Sequence, residues 1–269
     1  KYCTILTPIS MDHMNFLGNN IESITKEKIG ILKKNVPAII AKQEINAKKI
    51  IRDFSNKNKI ETYFYGSDWE INRIEKSKNE FSLRLFNENF QLPKPNLYGD
   101  HQVMNSGLAF TVLKVLKKIK TNQNNIIDAI KTVTWPARMQ KIVAGPLNNL
   151  VSKKMEIWLD GGHNVDASRM LSNVLNSWVT KEKFLIFGMV QGKDFNKFLK
   201  NISSLFKCIV IIPVSKHQYI EPKLIKKELD RSRSNVFIKN NVSEALIYLN
   251  KKYREGKVLI CGSLYLAGF

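Results

Sequence analysis

The chain is predicted to fold as two α/β domains. In the first, residues 1–134, parallel strands give way to an antiparallel meander; the second, residues 135–269, is a doubly wound parallel sheet. Three observations predict this. Apolar runs of strand length alternate with amphipathic segments of helix length along most of the 269 residues. Short strands of period two interrupt that alternation once, after residue 66. Near the middle, Trp135-Pro136 makes a stiff corner, because proline fixes its own φ and pushes the preceding residue out of the helical region. A chain of this length, 43% hydrophobic, can bury a core in each of two domains.

Residues 2–6 read as a strand, and residues 8–18 as a loop at its carboxyl end that holds Asp12 and His13 together. A helix over 21–32 follows, with Ile21, Ile24, Ile31 and Leu32 roughly on one face and Gly30 loosening its far end. Strand 36–41, helix 44–58 and strand 61–66 complete a βαβαβ run, which implies a parallel sheet. The segments 69–74, 80–86 and 90–92 alternate like a meander. Residues 97–106 then lead into a long apolar helix through 119, a polar link at 121–125 and a helix over 124–133, which must end near Thr134 ahead of the corner. Beyond a loop through Gly145 and Pro146 the pattern is regular, with strands at 155–159, 183–188, 208–213, 235–238 and 257–261. Helices at 165–178, 194–206, 221–231 and 242–254 separate them.

The formal net charge of +20 and pI near 9.8 invite a nucleic-acid partner. The excess is spread along the whole chain and is almost all lysine, so it reads as solvated helix faces that attract anionic small molecules. The longest apolar runs, 184–187 and 208–212, are far short of a membrane span, and no signal peptide is read. Cys3, Cys208 and Cys261 lie in apolar runs without metal-ligand spacing and read as reduced core residues. The expectation is a cytoplasmic monomer without membrane or nucleic-acid partners.

Strand 155–159 runs directly into Asp160-Gly-Gly-His-Asn164. In open α/β sheets ligands sit outside the carboxyl ends of strands, beside helix N-termini, so this group has the position and chemistry of a site. Asp-Gly-Gly is equally ordinary turn chemistry, and Asn164 or Asp166 could simply cap the next helix; the residues alone leave both readings open. Gly188-Met-Val-Gln-Gly-Lys-Asp194 has three residues between its glycines and Asp194 where a Ser or Thr should be, so it is not a Walker A loop. A substrate-side loop at a strand end remains its reading.

Taken in order, five segments resemble the folylpolyglutamate synthase and dihydrofolate synthase branch of the Mur ligases. They are Ile9-Ser-Met-Asp-His13 with Leu17-Gly18, Glu27-Lys-Ile-Gly-Ile31, Gly99-Asp-His-Gln-Val-Met-Asn105, Trp135-Pro-Ala-Arg-Met-Gln140 and Asp160-Gly-Gly-His-Asn164. The ending Cys261-Gly-Ser-Leu-Tyr-Leu-Ala-Gly268 is similar to that family's last strand. The resemblance implies the C-terminal part of a Mur-ligase-type ATP-binding central domain (1–134), followed by a Rossmann-like, doubly wound C-terminal glutamate-ligase domain (135–269). The family's P-loop and a glycine-rich segment with a metal-binding Glu do not occur in this sequence. The expectation is a C-terminal portion of a longer enzyme, inactive as a ligase by itself. Ala137 and Val165 stand where the family has Gly and Pro.

By resemblance, the reaction transfers the γ-phosphate of ATP to a carboxylate of dihydropteroate or tetrahydrofolate, and the amine of L-glutamate then displaces phosphate. Mg²⁺ and ATP are the implied cofactors. His13 matches a metal ligand, and Lys28 a lysine carried as a carbamate, which offers a hard cation an anionic oxygen. Asn105 matches an adenine-reading amide, Arg138 a phosphate-binding guanidinium and Asp160 a ribose acceptor. His163 and Ser263 match groups that would hold glutamate. His101 and Gln102 read as organising residues and His217 as a loop residue. Cell-wall Mur ligases and a basic nucleic-acid-binding protein are the alternatives; the 27–31 motif and the ending favour the folate branch.

Overall fold

A computed structural model describes residues 2–11, 20–75, 79–116, 120–180, 182–231 and 235–268. The chain divides into two compact units, one of residues 1–96 and 100–134, the other of residues 97–99 and 135–269.

The first unit holds a parallel sheet in the order β1 (Thr4–Leu6), β2 (Ala38–Ile40), β3 (Thr62–Phe64). Helices α1 (Ile21–Lys28) and α2 (Ile45–Lys57) bury Ile24 and Ile51 against Leu6, Ile40 and Phe64. Asn20 caps α1 by accepting the Ser23 N–H at 2.8 Å. The helix expected to run to residue 32 stops at Lys28 and tightens into a 3₁₀ turn, Ile29–Ile31. Exposed Gly30, a poor helix former, lies in that turn.

The meander is β4 (Trp69–Glu75), β5 (Glu80–Leu85) and β6 (Glu88–Pro93), antiparallel throughout. Trp69, wholly buried, donates its indole N–H to the Ile40 carbonyl at 3.3 Å and so ties the meander to the parallel sheet. Helices α3 (Asp100–Val115) and α4 (Gln123–Thr132) cover it, with Phe110, Ile126 and Ile130 in a core shared with Phe81 and Leu83. The link expected at 121–125 is already helix by Gln123, because the Asn122 side chain accepts the Asn124 N–H and starts α4 early.

The second unit is one six-stranded sheet in the order β11-β10-β9-β12-β8-β7. Its strands are β7 (Gln140–Ile142), β8 (Met155–Leu159), β9 (Lys183–Phe187), β10 (Cys208–Ile211), β11 (Val236–Ile238) and β12 (Gly256–Cys261). All neighbours are parallel except β7 with β8. Helices α5 (Val165–Ser177), α6 (Phe195–Lys200) and α7 (Pro222–Asp230) close one face, where Leu171, Phe198 and Ile225 meet Leu185, Ile209 and Leu259. Helix α8 (Val242–Tyr253) and the 3₁₀ turn Pro146–Leu150 close the other. The chain steps outward from β8 to β11 and returns so that β12 fills the gap between β8 and β9. That return brings the carboxyl ends of β8, β12 and β9 side by side.

Two expectations are corrected here. The helix expected over 194–206 breaks after Lys200, where Asn201, Ser203 and Ser204 favour local hydrogen bonds over helix, and Asn201 donates from Nδ2 to Ser168 Oγ at 2.7 Å. The loop expected between the corner and β8 contains β7, a three-residue edge strand too short and polar to show a period, held to β8 with Lys141 on Glu156 at 2.7 Å.

Asn164 is extended (φ −127°, ψ 170°) and accepts the Ala167 N–H at 2.9 Å, so Val165 is the first residue of α5. Proline suits that position, where the N–H has no intrahelical acceptor. Val165→Pro is expected to leave stability unchanged or raise it by about 0.4–1 kcal/mol, measured by denaturant unfolding. A clear loss would contradict this N-terminal geometry.

Candidate functional site

Beyond the carboxyl end of β8 the backbone is laced to its neighbours. Asp160 donates its N–H to the Ile260 carbonyl at 3.0 Å, Gly262 donates to the Gly162 carbonyl at 3.1 Å and Gly188 to the Cys261 carbonyl at 3.3 Å. Close approach sets the residue types. Gly262 has φ +110°, and a Cβ there would lie 2.6 Å from both the Gly188 carbonyl oxygen and the Phe187 ring. At Gly162 a Cβ would come within 2.8 Å of Asp160 Oδ1.

The Asp160 side chain is 7% exposed and turns inward. Its Oδ1 accepts the Gly162 N–H at 2.7 Å and its Oδ2 the Met139 N–H at 2.9 Å. Burial pushes its carboxyl above the usual carboxylate range, although both backbone donors and the nearby Arg138 and His163 favour the ionised form. Burial, with the Asp160 charge, also pushes the Cys261 thiol well up, which keeps it protonated and unreactive.

The Met139 bond reaches back into the corner segment. Ala137 (φ 55°) and Met139 (φ 44°) are both left-handed, a conformation that costs an L-residue roughly 1–2 kcal/mol. Anchors hold both in place: Ala137 accepts the Gly161 N–H at 2.9 Å and donates to Gln140 Oε1 at 3.0 Å, and the Met139 side chain is buried against Trp158 and Leu171. Arg138, between them, is exposed.

His163 is half-buried, with Nδ1 3.0 Å from the Gly161 carbonyl. A carbonyl can only accept, so Nδ1 carries a proton. Ser263, 1% exposed, caps the short helix α9 (Leu264–Ala267) by accepting the Tyr265 N–H at 3.1 Å. Leu264 covers Gly161, where an added Cβ would meet its Cδ1 at 2.6 Å. The second unit therefore gathers Arg138, Asp160, His163 and Ser263 at adjoining strand ends. His217, read as a loop residue, lies on a turn and stacks on Tyr265 with ring centroids 3.7 Å apart, a contact without a sequence sign. Asp194 owes its place to capping: it accepts the Lys197 N–H at 3.0 Å at the start of α6.

A groove of about 580 Å³ lies elsewhere, towards the amino ends of β9 and β12, between Tyr98, Trp158, Trp178 and Lys257. Trp158 and Trp178 are almost wholly buried, and Lys257 Nζ sits 5.7 and 5.2 Å above their rings. The groove's two tryptophans belong to the core that β8 and α5 share.

In the first unit, Asn105 is exposed on α3 and donates to Gln102 Oε1 at 3.2 Å, while the buried Gln102 also lies 3.1 Å from His101 Nε2. Lys28 is half-exposed in the last turn of α1. His13 lies outside the described residues. Among those described, no group of three or more His, Cys, Asp or Glu side chains could hold a metal ion. No described helix is long and apolar enough to cross a membrane.

Family comparison accounts for both units. The Mur ligase middle domain matches residues 2–113, and the C-terminal domain of dihydrofolate synthetase matches residues 140–269. The chain belongs to the Mur ligase family, in the dihydrofolate synthase and folylpolyglutamate synthase branch. Among its relatives are a probable dihydrofolate synthetase of Schizosaccharomyces pombe, 26% identical over 98% of this chain and 64% of that protein, and the folylpolyglutamate synthase of Lacticaseibacillus casei, 26% identical over 98% and 60%. The chain thus spans a little under two thirds of these relatives' length. The structure of E. coli FolC in complex with DHPP and ADP shares the fold, with a TM-score of 0.83 at 22% identity over 98% of this chain and 59% of that one.

The packing around Gly262 yields a direct check. Gly262→Ala is expected to destabilise the protein by about 2–5 kcal/mol, the sum of overpacking against backbone and a disfavoured φ. Thermal or urea unfolding within about 0.5 kcal/mol of the parent would contradict the close approach of β9 and β12.

Proposed function

We propose that this chain serves an ATP-dependent amide ligase that joins L-glutamate to dihydropteroate, tetrahydrofolate or both. The observation that carries this reading is the convergence of Arg138, Asp160, His163 and Ser263 at the carboxyl ends of β8 and β12, in the unit that matches the dihydrofolate synthetase C-terminal domain. In this reading ATP phosphorylates the folate-side carboxylate to an acyl phosphate, with ADP leaving. The glutamate amine attacks the acyl carbon and inorganic phosphate departs.

Arg138 binds phosphate oxygens, to which a planar guanidinium offers paired donors. His163 and Ser263 receive glutamate. In the first unit, Asn105 reads adenine, and His13 with carbamylated Lys28 holds Mg²⁺, which would neutralise phosphate charge. A cytoplasmic monomer acting on small molecules fits this reading.

Two substitutions test it. In the full-length enzyme, Arg138→Ala removes a charge-assisted contact and is expected to weaken ATP binding or kcat/KM for ATP about ten- to a hundredfold, that is roughly 1.5–3 kcal/mol, with thermal stability unchanged. Unaltered ATP kinetics would return the segment to the status of a linker. In the complete enzyme, Lys28→Ala should abolish most turnover and any dependence on bicarbonate; near-normal turnover at low bicarbonate would remove the carbamate.

A further inference from the structure

Two segments of the second unit have no part in the reaction described above: the loop 188–194 and the turn that carries His217. They are built together. The Val190 and Tyr219 backbones form an antiparallel bridge, the Gln218 carbonyl accepts the Gln191 N–H at 3.0 Å and the Met189 carbonyl accepts the Ile220 N–H at 2.9 Å. Gln191 Nε2 adds a bond to the Tyr219 carbonyl at 3.4 Å. The loops beyond β9 and β10 are thus zipped into one brace. From it the His217 ring lies on the ring of Tyr265, in the segment beyond β12, with centroids 3.7 Å apart and planes 25° from parallel. His217 is exposed and Tyr265 is 52% exposed, so neither ring fills the core.

Tyr265 is two residues from Ser263, and its N–H is the donor that the Ser263 hydroxyl oxygen accepts. That bond uses one lone pair of the hydroxyl and leaves its O–H as a donor, which is what a glutamate carboxylate requires. Helix α9 is four residues long, and a single turn cannot hold itself in water. Side chains fix its place: Leu266 is buried, Leu264 lies over Gly161 and Tyr265 meets His217. We propose that His217 is a positioning residue for the glutamate site: by stacking on Tyr265 it ties the 263–265 turn to the brace and fixes where the Ser263 hydroxyl stands. The inference rests on the glutamate reading of Ser263 given above. Such a contact needs a flat ring at 217 rather than a particular charge, and an aromatic pair is worth about a two- to tenfold change in an equilibrium.

Steady-state kinetics of the full-length enzyme test this. His217→Ala is expected to raise KM for glutamate about two- to tenfold, with kcat, KM for ATP and thermal unfolding as in the parent. His217→Phe keeps a flat ring and should restore the parent KM. In a Tyr265→Ala background His217→Ala should add nothing further, since both changes remove one contact. A Phe variant as impaired as the Ala variant would mean that His217 touches glutamate itself and would overturn the positioning role. Additivity with Tyr265→Ala, or an equal rise in KM for ATP, would overturn it too. Ser263→Ala separates this inference from the reading beneath it. An unchanged KM for glutamate in Ser263→Ala would overturn the glutamate reading, whereas a raised KM there beside a parent value in His217→Ala would overturn the positioning role alone. Should His217→Ala fail to fold, His217→Gln, polar and without a ring, carries the same comparison with His217→Phe.

Discussion

One buried carboxylate organises the carboxyl face of the second unit. Asp160 joins its own strand end and the adjoining turn at Gly162 to the turn at Met139, twenty-one residues upstream. Burying a carboxylate is costly unless it is hydrogen-bonded, and two backbone donors offset much of that cost here. The same bonds satisfy N–H groups that would otherwise be buried without acceptors. Strand β12 locks the arrangement from the other side through Gly262 and Gly162, so sheet geometry and site geometry are one problem.

Much of the fold was legible because the second unit repeats a simple pattern. Buried strands read as continuous apolar runs, since parallel strands are covered on both faces, and Ile209, Val210 and Ile211 are all wholly buried as such a run demands. The Asn164 cap was one of two open readings and is realised, and it lies beside the candidate site without contradicting it. What escaped sequence reasoning has specific causes. Strand β7 is three residues with two of them exposed, which leaves no period to detect. The left-handed turn at 137–139 is made by Ala and Met, residues that give no sign of positive φ, and two of the bonds that hold it, to the Gly161 N–H and the Asp160 carboxylate, come from another strand's end. Asp160 was picked out by position, but one of its two hydrogen-bond partners, the Met139 N–H, is non-local.

The surplus of lysine also finds a structural use. Lys252 Nζ lies 4.6 Å from the Phe237 ring centroid, Lys207 5.2 Å from Tyr253 and Lys114 5.1 Å from Phe90. In each case the ammonium sits over an aromatic face and the aliphatic stem shields apolar surface from water. Part of the positive charge thus closes the rims of the cores, one residue at a time, rather than forming a single basic stripe.

The position of β12 has a consequence for how the second unit comes into being. Strands β8 and β9 never touch each other; both hydrogen-bond to β12, some seventy residues or more further along the chain. Until that strand arrives, the centre of the sheet is a gap, and the loops after β8 and β9 have nothing to close upon. Pairings so distant in sequence are slow to form, because the entropy of closing a long loop must be met before any contact rewards it. On the ribosome, the outer strands can gather early, but the sheet becomes continuous only when β12 emerges. The face that carries Asp160, His163 and Ser263 is therefore among the last parts of this unit to mature, and it depends on a nascent chain that stays unaggregated while its central slot is open.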